Sequence, residues 1–526
     1  MAYQDGDTMQ RNLGSRYPIA VAAIVAVAAI AAAWWGAGPG RPDVENAKPI
    51  PRPPRISPDY VGIVLPPNIA PVNFAIREDG QRFFVRMQGA AGEGLEILSR
   101  STTISIPPDR WRRLLKANRG KELRWDVYAE VDGRWARYGT IANRVAEDEI
   151  DPYLVYRLIP PVHNKWLEVG VYQRQLTTFK ESAVLEGKRM GDACVNCHSF
   201  RANDPQQMLI GIRGGSESRA TLLADDGRAT KLGTPFGYTA WHPSGRIAAY
   251  SANKTRQFFH TAGQEVRDVV DLESALMYFR LDGRQAKRVP GVSDSQHLTT
   301  YPAWSPDGRW LYYCRAPVLW SDHEAVPPEH FAEVKYDLMR VSYDIESDRW
   351  GSPETVLAAK ETGLSILLPR ISPDGRFLLF CMCQYGCFPA FQPTSDLYLM
   401  DLEKGTYAKP PINSEFSESW HSWSSNSRWI AFSSKRAGDP FTRCYLSYLD
   451  PAGQAHKPFV VPQADPEFYG AYLKTFSVPE LLTGPVAVSA STLLRAARSK
   501  EAVAVETPAD GRPKIDDSEP YRHADR

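Results

Sequence analysis

The sequence predicts an all-β protein, and three features carry that prediction. Short runs of alternating apolar and polar residues fill most of the chain from about residue 59 to 485. Proline, glycine and tryptophan number 42, 37 and 14 of 526 residues, which suits many turns and aromatic-rich strands rather than a helical bundle. One turn pattern also recurs four times: "AWHPSGRIAAYS" (240–251), "AWSPDGRWLYYC" (303–314), "RISPDGRFLLFC" (370–381) and "SWSSNSRWIAFS" (422–433). In each copy an apolar strand meets a polar turn closed by Gly or Ser, then Arg, then a second apolar strand.

In chain order, residues 1–17 form a polar, cytoplasmic N-terminus and residues 18–36 a transmembrane segment. Its eighteen apolar residues from Pro18 to Trp35 approach the roughly 20 that span a bilayer core as a helix. Arg11 and Arg16 precede it and Trp34 and Trp35 close it, so the bulk of the chain is expected outside the cytoplasm. A cleaved signal peptide is the alternative, but the run exceeds the ~7–15-residue core of such peptides. The expected location is therefore a single pass of the inner membrane with the bulk in the periplasm. The 62 basic and 61 acidic residues nearly cancel, so no nucleic-acid partner is indicated.

Residues 37–58 read as a Pro-rich linker. Residues 59–150 read as a small β-sandwich interrupted by one helix, "PPDRWRRLLKANRGK", with Asp109 as N-cap and Gly120 as stop. Residues 151–200 read as a connecting segment with a short helix near 180–188. The four repeats are each trailed by a second hairpin, as in "LMYFRLDGRQ", so each makes a four-stranded blade. Repeated blades mean a β-propeller over 201–489, of five or six blades. The lone hairpin 220–230 belongs to a further blade completed from elsewhere in the chain, and insertions decorate one end of the channel. Residues 490–526 read as a mobile charged tail.

Chemistry concentrates at "GDACVNCHSF", residues 191–200. Cys194 and Cys197 have the spacing that forms thioethers to the two vinyl groups of a haem c, and the adjacent His198 is the proximal iron ligand. One covalent haem c is the cofactor this predicts. A thioredoxin-like CxxC needs a βαβ context that the surroundings lack. A zinc site needs a second donor pair, and "CMCQYGC" lies almost two hundred residues on. For the distal position the candidates are Met208, ten residues after His198, and His260 in a blade insertion. His163 and Met190 are weaker, the first for its neighbouring prolines and the second for crowding beside Cys194. Of the other cysteines, Cys381, Cys383 and Cys387 suggest one disulfide among themselves or with Cys314 or Cys444. "CQYGC" as a metal or redox loop is the sharper alternative. His242, His260, His297 and His421 read as hydrogen-bonded turn or channel residues. No GxSxG elbow supports a propeller-bearing serine peptidase.

"DPYLVYRLI", "CVNCHSF", "AWHPSG" and "SWHSWSSNSRW", with the SPDGR-like repeats, resemble exported, haem-bearing members of the TolB-like β-propellers over residues 60–485. Ser244 and Ser425-Asn426-Ser427 depart from the repeat in ways that turns tolerate. The resemblance implies a propeller with one haem. The expected function is a membrane-anchored mono-haem cytochrome c serving electron transfer or redox-linked binding of a partner protein. The alternatives are a haem enzyme acting on a small nitrogen or oxygen species, and a binding scaffold with a structural haem.

Overall fold

The computed structural model describes residues 42–161, 168–191, 193–213, 219–261, 265, 267–438 and 440–505. The apolar run 18–36 and His163 lie outside these, and no helix among the described residues is long and apolar enough to cross a membrane.

The alternating runs of the N-terminal part make two facing sheets. Arg82–Gly89 pairs antiparallel with Glu122–Val131 inside a seven-stranded sheet, and their inward residues, such as Val85, Met87, Trp125 and Val127, are buried. A three-stranded sheet of Ile56–Ser57, Phe74–Ile76 and Thr103–Ile104 covers it, with Phe74 stacked on Trp125 at 5.7 Å between centroids. The helix Pro108–Ala117 is capped by Pro107 rather than by Asp109, which lies in its first turn. Proline suits the first helical position because it has no N–H to leave unbonded.

The linker expected over 37–58 is ordered from residue 42 onward. Lys48–Ile50 adds a parallel strand beside Arg134–Tyr138. Arg52 and Arg55 both reach the buried Glu78, at 2.6 and 3.3 Å, and these pairs hold the segment on the sheet.

The remaining described residues form six sheets of four or five strands each. Their inner strands pack one against the next and close a ring. Blade 1 combines Tyr153–Ile159, Gly170–Gln175 and Glu181–Glu186 with the late strand Thr475–Leu482, which supplies its inner edge. The described residues of 151–186 thus belong to a blade rather than a connector, and the helix expected near 180–188 is a strand followed by the single 3-10 turn Gly187–Arg189. Pairing with Gly170–Gln175 overrides the helical propensity of "SAVLE".

Blade 2 begins with the motif strand Cys194–Arg201 and continues through Asp204–Arg213 to the hairpin Ala220–Asp225 and Arg228–Leu232. The lone hairpin is therefore completed by the strands immediately before it. Blades 3 to 6 are the four repeats. Their turns close alike: the amides of Gly245, Gly308, Gly375 and Ser427 donate to the carbonyls of His242, Ser305, Ser372 and Ser424 at 2.8–2.9 Å.

The N-terminal sheets dock on blade 6. Asp151 accepts from the amide and hydroxyl of Ser425 at 2.7 and 2.6 Å, and Trp429 donates its indole N–H to the Asp148 carbonyl. Residues 490–505, expected in a mobile tail, are instead packed on the propeller. The helix Ala490–Arg498 buries Leu493 and Ala497, and Val503 bridges to Leu232.

Candidate functional site

Every inner strand except the short Thr239–Trp241 breaks its pairing midway, and Cys194–Arg201 shifts again between Phe200 and Arg201. The break carries a left-handed residue in four blades: Tyr301, Leu368, Trp420 and Val478, with φ of 46–55°. Each lies three residues before the last apolar residue of its strand pattern, as in "YPAW" and "WHSW". Cys197 holds the same place in "CHSF", and Tyr238 in "YTAW". The haem-type motif is therefore grafted onto the bulge of a propeller repeat. In blade 2 the break falls at Asn196 and Cys197, opposite Gly211, whose missing side chain leaves room for Asn196.

A cavity of about 310 Å³ opens at the end of the channel where the inner strands begin. Cys194, Asn196 and Cys197 form part of its wall, with Tyr238 and Trp420 among the lining and Tyr301 packed 4.3 Å behind Tyr238. The blade insertions complete the mouth through Lys254, Arg256, Phe391 and Lys435.

Cys194 is buried beside two guanidiniums. Arg157 Nη2 lies 3.5 Å from its sulfur, and Arg213 faces it across the strand pair. Burial raises its pKa, but Arg157 and Arg213 outweigh burial, so the thiol titrates below its ordinary value. Burial dominates at Cys197 and raises that thiol.

His198 is 2% exposed and lies between blades 1 and 2, with its ring edge-on to Phe200 at 5.8 Å. Burial, then the charge on Arg157, lowers its pKa to about 3. The Val478 backbone approaches the ring, yet neither ring nitrogen makes a hydrogen bond of ordinary geometry. Unbonded buried polar atoms of this kind are uncommon.

Neither distal candidate lines this cavity. Met208 is fully buried opposite Phe200, in the apolar seam between blades 1 and 2 that His198 also enters, because its strand alternates and sends that side away from the cavity. His260 stands at the tip of a long hairpin, where its Nε2 bonds Asp268 at 3.1 Å and its ring packs on Phe258 and Phe331. Met190 is buried in the same seam as Met208. Among the other histidines, His242 bonds Ser244 and the Gly308 carbonyl, and His421 bonds the Leu379 carbonyl.

The expected disulfide is absent. All seven cysteines are free thiols, and Cys383 and Cys387 donate to the carbonyls of Tyr385 and Val269. Among the described residues no three His, Cys, Asp or Glu side chains converge on a metal position.

Sequence reasoning missed Arg157, Arg213 and Glu480. Glu480 is a half-buried residue whose carboxyl accepts the Phe200 amide at 3.0 Å, and desolvation raises its pKa to about 7 against the opposing charge of Arg370. The closing strand places Glu480, and nothing local in sequence announces that strand.

Six sheets closed by a late strand, with a CxxCH sequence on an inner strand at the channel mouth, define a six-bladed β-propeller with a thiol-lined site. No protein-family model and no curated protein sequence matches the chain. Among solved structures it is similar to TolB from Acinetobacter baumannii, at 14% identity and a TM-score of 0.40, over 69% of this chain and 79% of that one. It is also similar to an oligogalacturonate lyase in complex with manganese (13%, TM-score 0.32, 71% and 99%). A third is the dipeptidyl peptidase 4 of Porphyromonas gingivalis (12%, TM-score 0.30, 58% and 46%). Likenesses at this level carry no argument about activity, and the propeller rests on its own strand order.

Proposed function

We propose that the chain is a mono-haem c-type cytochrome, held at the inner membrane by residues 18–36 with its bulk in the periplasm. Cys194 and Cys197 carry one haem c through thioethers, and His198 is the proximal ligand. The observation that carries this reading is His198, a buried imidazole with both nitrogens unbonded, on the same strand as two thiols that wall a cavity. The residue types fit the group, two thiols and an imidazole on one strand. When bound, the haem supplies a one-electron centre. The chain's own residues hold it at one wall of the channel mouth, where the apolar rings of Tyr238 and Trp420 limit water.

Attachment needs the imidazole and both thiols turned to one side, whereas His198 stands in the seam and the cysteines face the cavity. Such a turn would fall at the irregular pairing of Asn196 and Cys197.

The test is retention of haem. Protein made with haem-attachment machinery keeps one haem per chain through acid-acetone extraction, and Cys194→Ala with Cys197→Ala abolishes retention. A double variant that still holds haem covalently overturns the reading. A second reading, a haem enzyme for a small nitrogen or oxygen species, is supported by the open cavity beside the thiols. Carbon monoxide binding to the reduced protein favours it, and ascorbate reduction without carbon monoxide binding favours the electron-transfer reading.

A further inference from the structure

Charge is sharply segregated at the channel mouth. The chain as a whole is nearly neutral, yet seven lysines and arginines line the cavity and, among the described residues, no aspartate or glutamate does. Some of these cations have carboxylates behind them: Lys254 pairs with Glu324, and Lys435 and Arg267 share Glu265. Arg157 and Arg213 do not. Both line the cavity beside Cys194, both have a buried, unbonded Nε, and the partner they share is that sulfur.

Two half-buried guanidiniums that share one sulfur and have no anion between them are costly to fold. A thioether at Cys194 would carry no charge at all, so the cost would stand in the haem-bearing protein too. Planar guanidiniums receive carboxylates and other oxyanions through paired N–H donors. Walls of one sign around a confined cavity also raise the local concentration of the opposite ion.

We propose that the channel mouth is an anion-binding site, in which Arg157 and Arg213 clamp a carboxylate or similar oxyanion beside Cys194. It shares its cavity with the proposed haem but does not depend on covalent attachment. The anion has two sources: a free small molecule reaching the mouth, or the carboxylate arms of a haem already in it.

The test uses the full chain made with and without haem-attachment machinery. Each form is titrated calorimetrically at low ionic strength with succinate, and with succinamide as the uncharged control. The expected result is saturable binding of succinate and not of succinamide by the haem-free form, with a succinate-dependent rise in melting temperature. Arg157→Gln with Arg213→Gln weakens binding at least tenfold, while its ligand-free melting temperature is unchanged or higher. Purely structural arginines would give a lower one. Arg157→Lys with Arg213→Lys keeps the charge and part of the affinity.

Binding by both forms identifies a free anion as the ligand. Binding by the haem-free form alone identifies the haem's own carboxylates. No saturable binding by the haem-free form, equal binding of succinamide, or unchanged affinity in the glutamine variant overturns the proposal. Loss of covalent haem in the extraction experiment would leave this haem-free result standing.

Discussion

His198 and His421 occupy the same place in the repeat of blades 2 and 6, directly after Cys197 and Trp420, and of the two His421 alone has a hydrogen bond of ordinary geometry: its Nε2 lies 2.9 Å from the Leu379 carbonyl. One imidazole serves the blade seam and the other is left over. Replacing His421 by Leu strands a buried carbonyl and costs about 1–3 kcal/mol. Replacing His198 by Leu in haem-free protein removes an unbonded polar ring and costs under about 1 kcal/mol. Urea unfolding of the two variants measures the contrast, and equal losses would show that His198 has a structural partner after all. In haem-bearing protein His198→Leu changes the Soret spectrum and His421→Leu leaves it in place.

The repeat turns offer a graded test of the propeller register. Gly308 and Gly375 have φ of +73 and +75°, where a side chain is strained whatever the space around it. A Cβ on Gly375 meets nothing within 4 Å, so Gly375→Ala costs only the backbone term of about 1–2 kcal/mol. At Gly308 the added carbon would stand 2.3 Å from Nε2 of His242, which also bonds the Gly308 carbonyl. Gly308→Ala therefore loses more than Gly375→Ala in thermal unfolding, and the reverse order would place the two turns in different surroundings.

The four repeats were legible because each turn signals itself within about ten residues: Pro or Ser, then Asp, Asn or Ser, then Gly or Ser, then Arg between apolar runs. Blade 1 was not legible. Its inner strand Thr475–Leu482 lies some three hundred residues from its partner Tyr153–Ile159, and only ring closure joins them. The motif residues Cys194, Cys197 and His198 stood out by spacing alone, but their place on an inner strand depended on recognising "CHSF" as the repeat's own break. Met208 looked near His198 in sequence. Strand pairing places it opposite Phe200, in the seam that His198 also enters and away from the cavity walled by the thiols, and a linear count of ten residues carries no such information. The disulfide expectation failed for a related reason. Compartment predicts oxidation, but Cys314, Cys381, Cys383, Cys387 and Cys444 are buried as separate thiols in the blades.

Those five thiols set a chemical prediction. Burial raises the pKa of each, so thiolate is scarce as well as inaccessible. Iodoacetamide leaves all five unlabelled in the native protein at neutral pH and labels all five in urea, with or without a reductant. The melting temperature does not move when the reductant is added. A labelling step in urea that requires reductant would reveal a disulfide and contradict the packing.

Glu78 gives the N-terminal domain an acid limit of its own. Arg52 donates to both its carboxylate oxygens at 2.6 and 2.7 Å, and the Arg55 amide donates at 2.7 Å. The Arg52 hydrogen bonds outweigh burial and hold the carboxyl near about 2, against an ordinary value of 4.5. The native state thus favours the ionised form more than the unfolded chain does. That stabilisation is fully present above about pH 4.5 and drains away as pH falls toward 2. Glu78→Gln removes it, costing about 1–3 kcal/mol at pH 7 because a charge-assisted pair is lost. The cost shrinks toward zero near pH 2. Urea unfolding of the wild type and the variant, followed by tryptophan fluorescence at several pH values, reads the difference directly. Other carboxylates cancel in that comparison, so a gap that stays constant from pH 7 to pH 2 would show that Glu78 holds the early strands through shape rather than through its charge.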